Sequence, residues 1–310
     1  SGCGRLSNPF SSLDAFRAVN DNTGNNPGDG DVIFLYESGT NYTLSSPLTL
    51  RPGQKLIGQD ATASLEAIVG GSAPTGSAPL PTMNPDNGTR ARIGGGSGGI
   101  VLGTNNTLRG LTVITTGGTG IQGNGFGTLT LGGDAEVAST NGPAINLANG
   151  QINGAFRSVS ASGGANGIVL SNTTGTFEVT GAGTANSGGT IQNTTGDGIS
   201  LSNTGPVSIS WMTVQGSGGN GIRGNVVGGF TLRRSAIVTN GNAAGEYGLW
   251  FTQLTGTARI DTVKVHGSYH DEVYIANSSG TLDLHMVGNN LSNETPQPDV
   301  APDDGGVRIL

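Results

Sequence analysis

All three histidines of the chain, His266, His270 and His285, fall between residues 246 and 285. The same stretch holds Glu246, Tyr247, Arg259, Asp261, Lys264, Asp271, Glu272 and Asp283. Carboxylates facing each other across a glycosidic bond can act as acid and base in hydrolysis. Exposed aromatic rings offer apolar faces on which a sugar ring can rest. Stacking FTLRR (230–234) on ARID (258–261) on LDLH (282–285) puts Arg233, Asp261 and His285 in one column. Thr231, Arg259 and Asp283 form the next column, and Leu232, Ile260 and Leu284 point inward. Trp211, Tyr247, Trp250, Tyr269 and Tyr274 lie in the same half of the chain, and Trp250 faces outward only if Leu249 and Phe251 face inward. The carbohydrate-binding candidates are Trp250, Tyr274, Asp261, His285, Arg259 and Asp283. The competing reading is a charge ladder, in which opposite signs on stacked strands fix register. Such exposed pairs contribute about 0–1 kcal/mol each.

No residue receives a catalytic or metal-binding role. Asp303–Asp304 is the only Asp-Asp pair and reads as a solvated loop. GGSGG (95–99) matches a nucleophile-elbow pattern without its strand–turn–helix setting. GNGFG (123–127) has no following helix to make a phosphate loop. Zinc-type Cys/His spacing and the aspartate of glycine-rich calcium repeats are missing. No cofactor is expected. The sequons at Asn41 and Asn172 are what an Asn/Thr-rich chain produces by chance.

The elements that would position these residues repeat. GGIVL, TGIQG, PAINL, NGIVL, DGISL, NGIRG, YGLWF, DEVYI and GGVRI align on Ile100, Ile121, Ile145, Ile168, Ile199, Ile222, Leu249, Val273 and Val307. Successive anchors are 21, 24, 23, 31, 23, 27, 24 and 34 residues apart, which is one constant unit with loops of variable length. In DGISLSNTGPVSISWMTVQ, Ile199 and Leu201, Val207 and Ile209, and Met212 and Val214 each alternate with polar neighbours, the period of a strand with one buried face. The spacing therefore predicts three short strands per unit, wound into an all-β, right-handed parallel β-helix of about nine or more rungs. Gly before the anchor, with Asn or Asp before it, is expected to supply a turn with positive φ.

The chain reads as one β-helix domain spanning 1–310. Residues 8–22 should form a short cap helix, with Ser11 and Asp14 in a capping-box arrangement and Leu13, Phe16 and Val19 on one face. Helical periodicity is absent after residue 20. Residues 31–38, 42–50 and 54–59 read as the first strands. Residues 60–92, with Pro74, Pro79, Pro81 and Pro85, read as a loop excursion before the regular rungs of 93–310. GGVRIL at the end begins a further rung, so Val307, Arg308, Ile309 and Leu310 are candidates for an edge that pairs with another copy.

Charged residues make up 11% of the chain, the net charge is −7, and Lys55 and Lys264 are the only lysines. That balance argues against nucleic acid and anionic membranes, which demand clustered cations. No apolar run is long enough to insert in a membrane. Cys3, the only cysteine, leaves no intrachain disulfide. SGC resembles the end of a bacterial lipoprotein cleavage site, but it lacks a preceding apolar segment and reads as part of a loose glycine-rich leader.

The opening NPFSSLDAFRAVN, with GDGDVIFLYESGTNYT and LTLRPGQKLIGQ, resembles the start of pectin-lyase-like right-handed β-helices. NGIVLSNTTGTFEVTG (166–181) resembles the repeat of large secreted bacterial surface proteins, including autotransporter-passenger-like adhesins. The resemblance implies an extracellular or cell-surface module, structural or adhesive, whose partners are glycans or a neighbouring cell surface. A polysaccharide-degrading or carbohydrate-binding protein is the alternative, and an end-to-end homopolymer is a third. Lyases of this fold need an acidic calcium cluster with a basic residue. Hydrolases of this fold carry Asn-Thr-Asp, Asp-Asp and Arg-Ile-Lys signatures that do not stand in the rungs of this sequence.

Overall fold

A computed structural model of the protein describes residues 8–73, 75–292 and 306–310. Cys3 and Asp303–Asp304 lie outside the described residues. The quoted repeat forms three strands, Ile199–Thr204, Val207–Ser210 and Met212–Gln215. These define the first, second and third faces of a triangular rung. Ile199, Leu201, Val207, Ile209, Met212 and Val214 are all buried, while Ser200 and Ser208 between them are part-exposed.

Every anchor read from the sequence stacks on the next. Ile100 pairs with Ile121, Ile145 with Ile121 and Ile168, Ile199 with Ile168 and Ile222, and Leu249 with Ile222 and Val273. Val307 closes the series on Val273. The column persists because a one-residue slip would turn each buried set outward. The first face is a sheet of 13 strands, and the other two faces form one sheet of 15. They merge because Ala155–Ser162 bends round their shared corner, its two halves pairing with Phe177–Val179 and Gly189–Gln192. Eleven strands follow one another along the first sheet, and all the pairings are parallel. The molecule is an all-β, right-handed parallel β-helix, the hand that strand twist imposes on such crossovers.

One apolar core runs inside the coil from Leu13 to Ile275. Burying each Leu, Ile, Val or Phe contributes about 1.5–3 kcal/mol. The largest core rings meet between rungs, with Phe230 and Phe251 centroids 4.8 Å apart and Phe156 and Phe177 5.9 Å apart.

Glycine precedes seven of the nine anchors, and at all of them but Gly306, whose φ is 95°, it serves a purpose other than the expected one. Gly198 does not have a left-handed φ. A Cβ there would lie 2.4 Å from Val214 Cγ1 and 2.7 Å from the carbonyl oxygen of Gly221. The corner needs an absent side chain, because successive rungs close on each other at this point. Positive φ falls on other corners. At one of them Asn149, Asn172 and Asn203 adopt φ of 56°, 50° and 52°. Their side-chain amides form a ladder: Asn149 donates to Asn124 at 2.7 Å, Asn172 to Asn149 at 3.2 Å, and Asn203 to Asn172 at 3.0 Å.

The N-terminal helix is shorter than 8–22, spanning Leu13–Arg17. Its N-cap is Ser12 rather than Ser11, with Ser12 Oγ accepting from Ala15 N at 3.1 Å. Asp14 instead accepts from the backbone of Ser45 and pairs with Arg17. Leu13 and Phe16 are buried in the coil's core, and Phe10 packs edge-on against Phe16. Val19 lies beyond the helix.

The 60–92 excursion contains a helix, Leu65–Val69, that the missing apolar period did not announce. It starts on Ser64 and stops at Gly70, whose φ of 78° ends the turn. Leu65 joins Ile57 and Ala61 in a small second core. The coil resumes at Ala91–Gly95, two residues before the expected boundary. Among the described residues, no helix is long and apolar enough to cross a membrane.

Candidate functional site

The polar residues of 246–285 divide between two faces. Leu249 and Phe251 are buried, so Trp250 does point outward, on the first face. Trp250 pairs with Arg223 below it and Tyr274 above it, and Arg308 follows Tyr274. Arg259, Asp261, Asp283 and His285 lie on the second face, in Gly256–Asp261 and Leu282–Val287. The six carbohydrate-binding candidates therefore do not form one site.

On the first face the rings stack on themselves. Tyr247 lies against Tyr274 with centroids 4.8 Å apart and planes 26° apart, and it also touches Trp250 and His270. The Arg223 guanidinium sits 4.6 Å from the Trp250 centroid, and that of Arg308 sits 5.8 Å from Tyr274. Ring faces that a sugar would use are occupied by these neighbours, which makes the column a cation–π ladder along the coil. The edge candidates Val307 and Ile309, with Leu310 beyond them, continue this face, and all three are exposed.

On the second face the last rung is two residues out of the expected register. His285 stacks on Arg259, and Asp283 on Thr257, while Asp261 stacks on Val287. The two expected columns are thus Arg233–Asp261–Val287 and Thr231–Arg259–His285. The inward partner of Ile260 is Met286, with Leu284 over Ala258. Asp283 pairs with His285 at 3.1 Å. Asp261 lies between Arg233 at 3.3 Å and Arg259 at 3.8 Å. Asp261 and Thr257, the partner of Asp283, are four positions apart on one strand, roughly 13 Å. That exceeds the separation of a hydrolytic carboxylate pair, about 5–9.5 Å.

Arg233, Arg234, Arg259, Asp261, Thr262 and Val287 line a cleft of about 350 Å³ at the corner between the second and third faces. The backbone there is unusual. Trp211, Arg234 and Thr262 occupy the same corner in successive rungs with φ of 60°, 47° and 56°. Glycine fills that corner on either side, at Gly181 and Gly288. Holding a residue with a Cβ in the left-handed region costs about 1–2 kcal/mol. Arg234 lies over the Trp211 ring at 5.2 Å.

A third polar cluster was not legible in the sequence. It fastens the 60–92 excursion to the coil. Asp134, nearly fully buried, accepts from Arg109 Nε, Gly110 N and Thr62 N at 2.8–3.1 Å. Burial pushes its carboxyl up, but the Arg109 hydrogen bond and the two backbone N–H groups outweigh that and hold it below the usual value. Arg90 reaches Thr112 Oγ1 and the Asp134 carbonyl, and Arg157 pairs with Asp86 at 2.7 Å. Asp60 is buried, and burial raises its carboxyl above the usual value; Ala91 N and Arg90 offset this only in part. Its Oδ2 accepts from Ala91 N at 2.9 Å, while Oδ1 has no partner. Bonded partners lie up to 72 residues apart, as with Thr62 and Asp134, so only a correct stacking of rungs brings them together.

Glu272 is a second buried carboxyl raised by burial. Its Oε2 accepts from Gly306 N at 2.7 Å. Among the described residues, no group of three or more His, Cys, Asp or Glu is placed to hold a metal ion.

The chain matches no protein family and no curated protein. Among solved structures it is similar to the A-module of mannuronan C-5 epimerase AlgE4 from Azotobacter vinelandii. The identity is 12%, over 99% of this chain and 98% of that one, with a TM-score of 0.28.

Proposed function

We propose that the protein is a non-catalytic structural and adhesive β-helix module of an extracellular or bacterial cell surface, which presents side-chain columns to a glycan or a neighbouring surface. The observation that carries this reading is the division of the polar candidates between two faces. Each column is satisfied along the coil, by Arg223 and Arg308 on the rings of one face and by Arg233 and Arg259 on Asp261 of the other. A catalytic centre needs its groups to converge on one bond. Columns running along a coil instead provide a repeating surface of fixed spacing.

The test is prolonged incubation of the protein with acidic and neutral polysaccharides, followed by chain-length analysis and absorbance scanning for unsaturated ends. Unchanged chains, with retained binding, are the expected result. Shortened or unsaturated chains, in a reaction abolished by Asp261→Asn, would sink the non-catalytic reading.

A further inference from the structure

We propose that the groove along Val32–Leu35 is a docking site for an extended peptide segment of another protein, which adds to the coil as one further strand. The site lies at the N-terminal end of the coil, away from the polar columns of 246–285, and stands independently of what those columns bind.

The free backbone edge is the first support. Val32–Leu35 ends its sheet, and Lys55–Gly58 is its one partner strand among the described residues. The carbonyls of Asp31 and Leu35 accept from Lys55 N at 3.0 Å and from Gln59 N at 2.9 Å. Bonding in a parallel pair alternates along each strand, so the N–H and C=O of Val32 and Phe34 turn the other way, into the groove. Among the described residues nothing bonds them there. Edge strands are normally blunted by charge or proline within them. Val-Ile-Phe-Leu carries neither, and Val32 is 43% exposed.

The walls are the second support. Six consecutive residues, 31–36, line the groove, which holds about 670 Å³. Phe10, Leu13 and Phe16, at the end of the main core, form one wall. Leu65 and Leu80, at the small second core, form the other with Pro79 and Pro81. The strand floor follows the same division, with Ile33 and Leu35 in the main core and Phe34 against the second. An added strand would therefore meet apolar surface on both of its faces. It must be apolar at consecutive positions, unlike the half-polar strands of the regular rungs.

These features select the occupant. An acyl chain would fill the walls but leave the donors and acceptors of Val32 and Phe34 unpaired, whereas an extended backbone satisfies them. A second copy cannot supply its own Val32–Leu35, because that edge is recessed between the same two walls. Asp31 is the one charged residue of the lining. A strand running parallel, as all strands of the coil do, starts beside Asp31, so the segment carries a basic residue or a free amine at its N-terminal end.

The experiment is fluorescence anisotropy of a labelled hexapeptide, Lys-Val-Ile-Val-Leu-Ser, titrated with the whole chain. Two further forms of the peptide carry N-methyl groups on alternate backbone nitrogens, one form for each alternation. A strand turns only every second N–H toward the edge, so one methylated form should bind within about twofold of the parent peptide and the other at least tenfold more weakly. Val32→Pro removes a free-edge N–H at the first residue of the strand, where proline is tolerated, and leaves the ladder to Lys55–Gly58 in place. It should keep the circular dichroism of the parent and bind at least tenfold more weakly. Replacing the peptide's lysine with glutamate should weaken binding several-fold, and Asp31→Asn should erase that difference. Equal binding of the two methylated forms, or parent-like binding by folded Val32→Pro, would overturn the site. Self-association of the protein without peptide, abolished by Val32→Pro, would give the groove to a second copy and overturn the partner. Binding gained only after removal of residues 1–7 would give the groove to the chain's own start, with the same consequence.

Discussion

Asn149, Asn172 and Asn203 combine two properties at one corner: they tolerate a left-handed φ, and their amides bond from rung to rung. Val226 interrupts them. It sits at the equivalent corner of the next rung with φ 57° and is exposed. A β-branched residue gains nothing there and meets the steric cost of that conformation. Val226→Asn should stabilise the protein by about 1–2 kcal/mol, read as a higher denaturation midpoint at unchanged m-value. A neutral or lower midpoint would mean that the ladder adds no stability. The Asn corner recurs as Ser-Asn-Thr at 171–173 and 202–204 but as Ala-Asn-Gly at 148–150, and the sequence reading placed the positive φ before the anchors instead. The Trp211, Arg234 and Thr262 corner was not visible in the sequence, because those residue types normally signal strand or surface rather than a turn. The column assignments of His285 and Asp283 failed for a related reason. LDLH was aligned by its apolar letters, and the strand Leu282–Val287 continues through Met286, which is the true partner of Ile260.

At the scale of elements, the anchors read from the sequence gave the register of the first face, because a buried column permits no slip. The excursion was legible only as a break in that pattern. Its fastening by Asp134 and Asp60 depends on residues distant in sequence that share no motif. The two carboxyls give it opposite pH responses. Asp134 is held below the usual value of 3.8, so its contribution is present above that value and is lost as pH falls through the depressed one. Asp60 is raised above 3.8, so its contribution is present below that value and is lost as pH rises through the raised one. Melting temperature against pH should therefore show Asp60→Asn at least as stable as the parent at neutral pH, with the parent's decline above 3.8 reduced. Asp134→Ala should cost about 3–5 kcal/mol at neutral pH, because it leaves Arg109 without its buried partner. Superimposable profiles for parent and Asp60→Asn would mean that Asp60 is solvated and ordinary.

The whole molecule follows from one repeated unit. Each rung contacts its neighbours, so stability accumulates along one dimension and stiffness comes from parallel ladders on every face. The helix Leu13–Arg17 contributes Leu13 and Phe16 to the same core at one end of the coil. The second-sheet cleft and the first-face ring ladder are held at fixed separations by that coil, the spacing on which the proposed presenting role relies. The central claim is that the coil is one uninterrupted rigid rod. Small-angle X-ray scattering across a concentration series tests it most directly. Eleven turns at a spacing of about 4.8 Å give a coil roughly 50 Å long, with a single rod-like cross-section that does not change on dilution. A pair-distance profile with two separated maxima would contradict the rigid coil, and a length that grows with concentration would replace the single structural module with an end-to-end polymer.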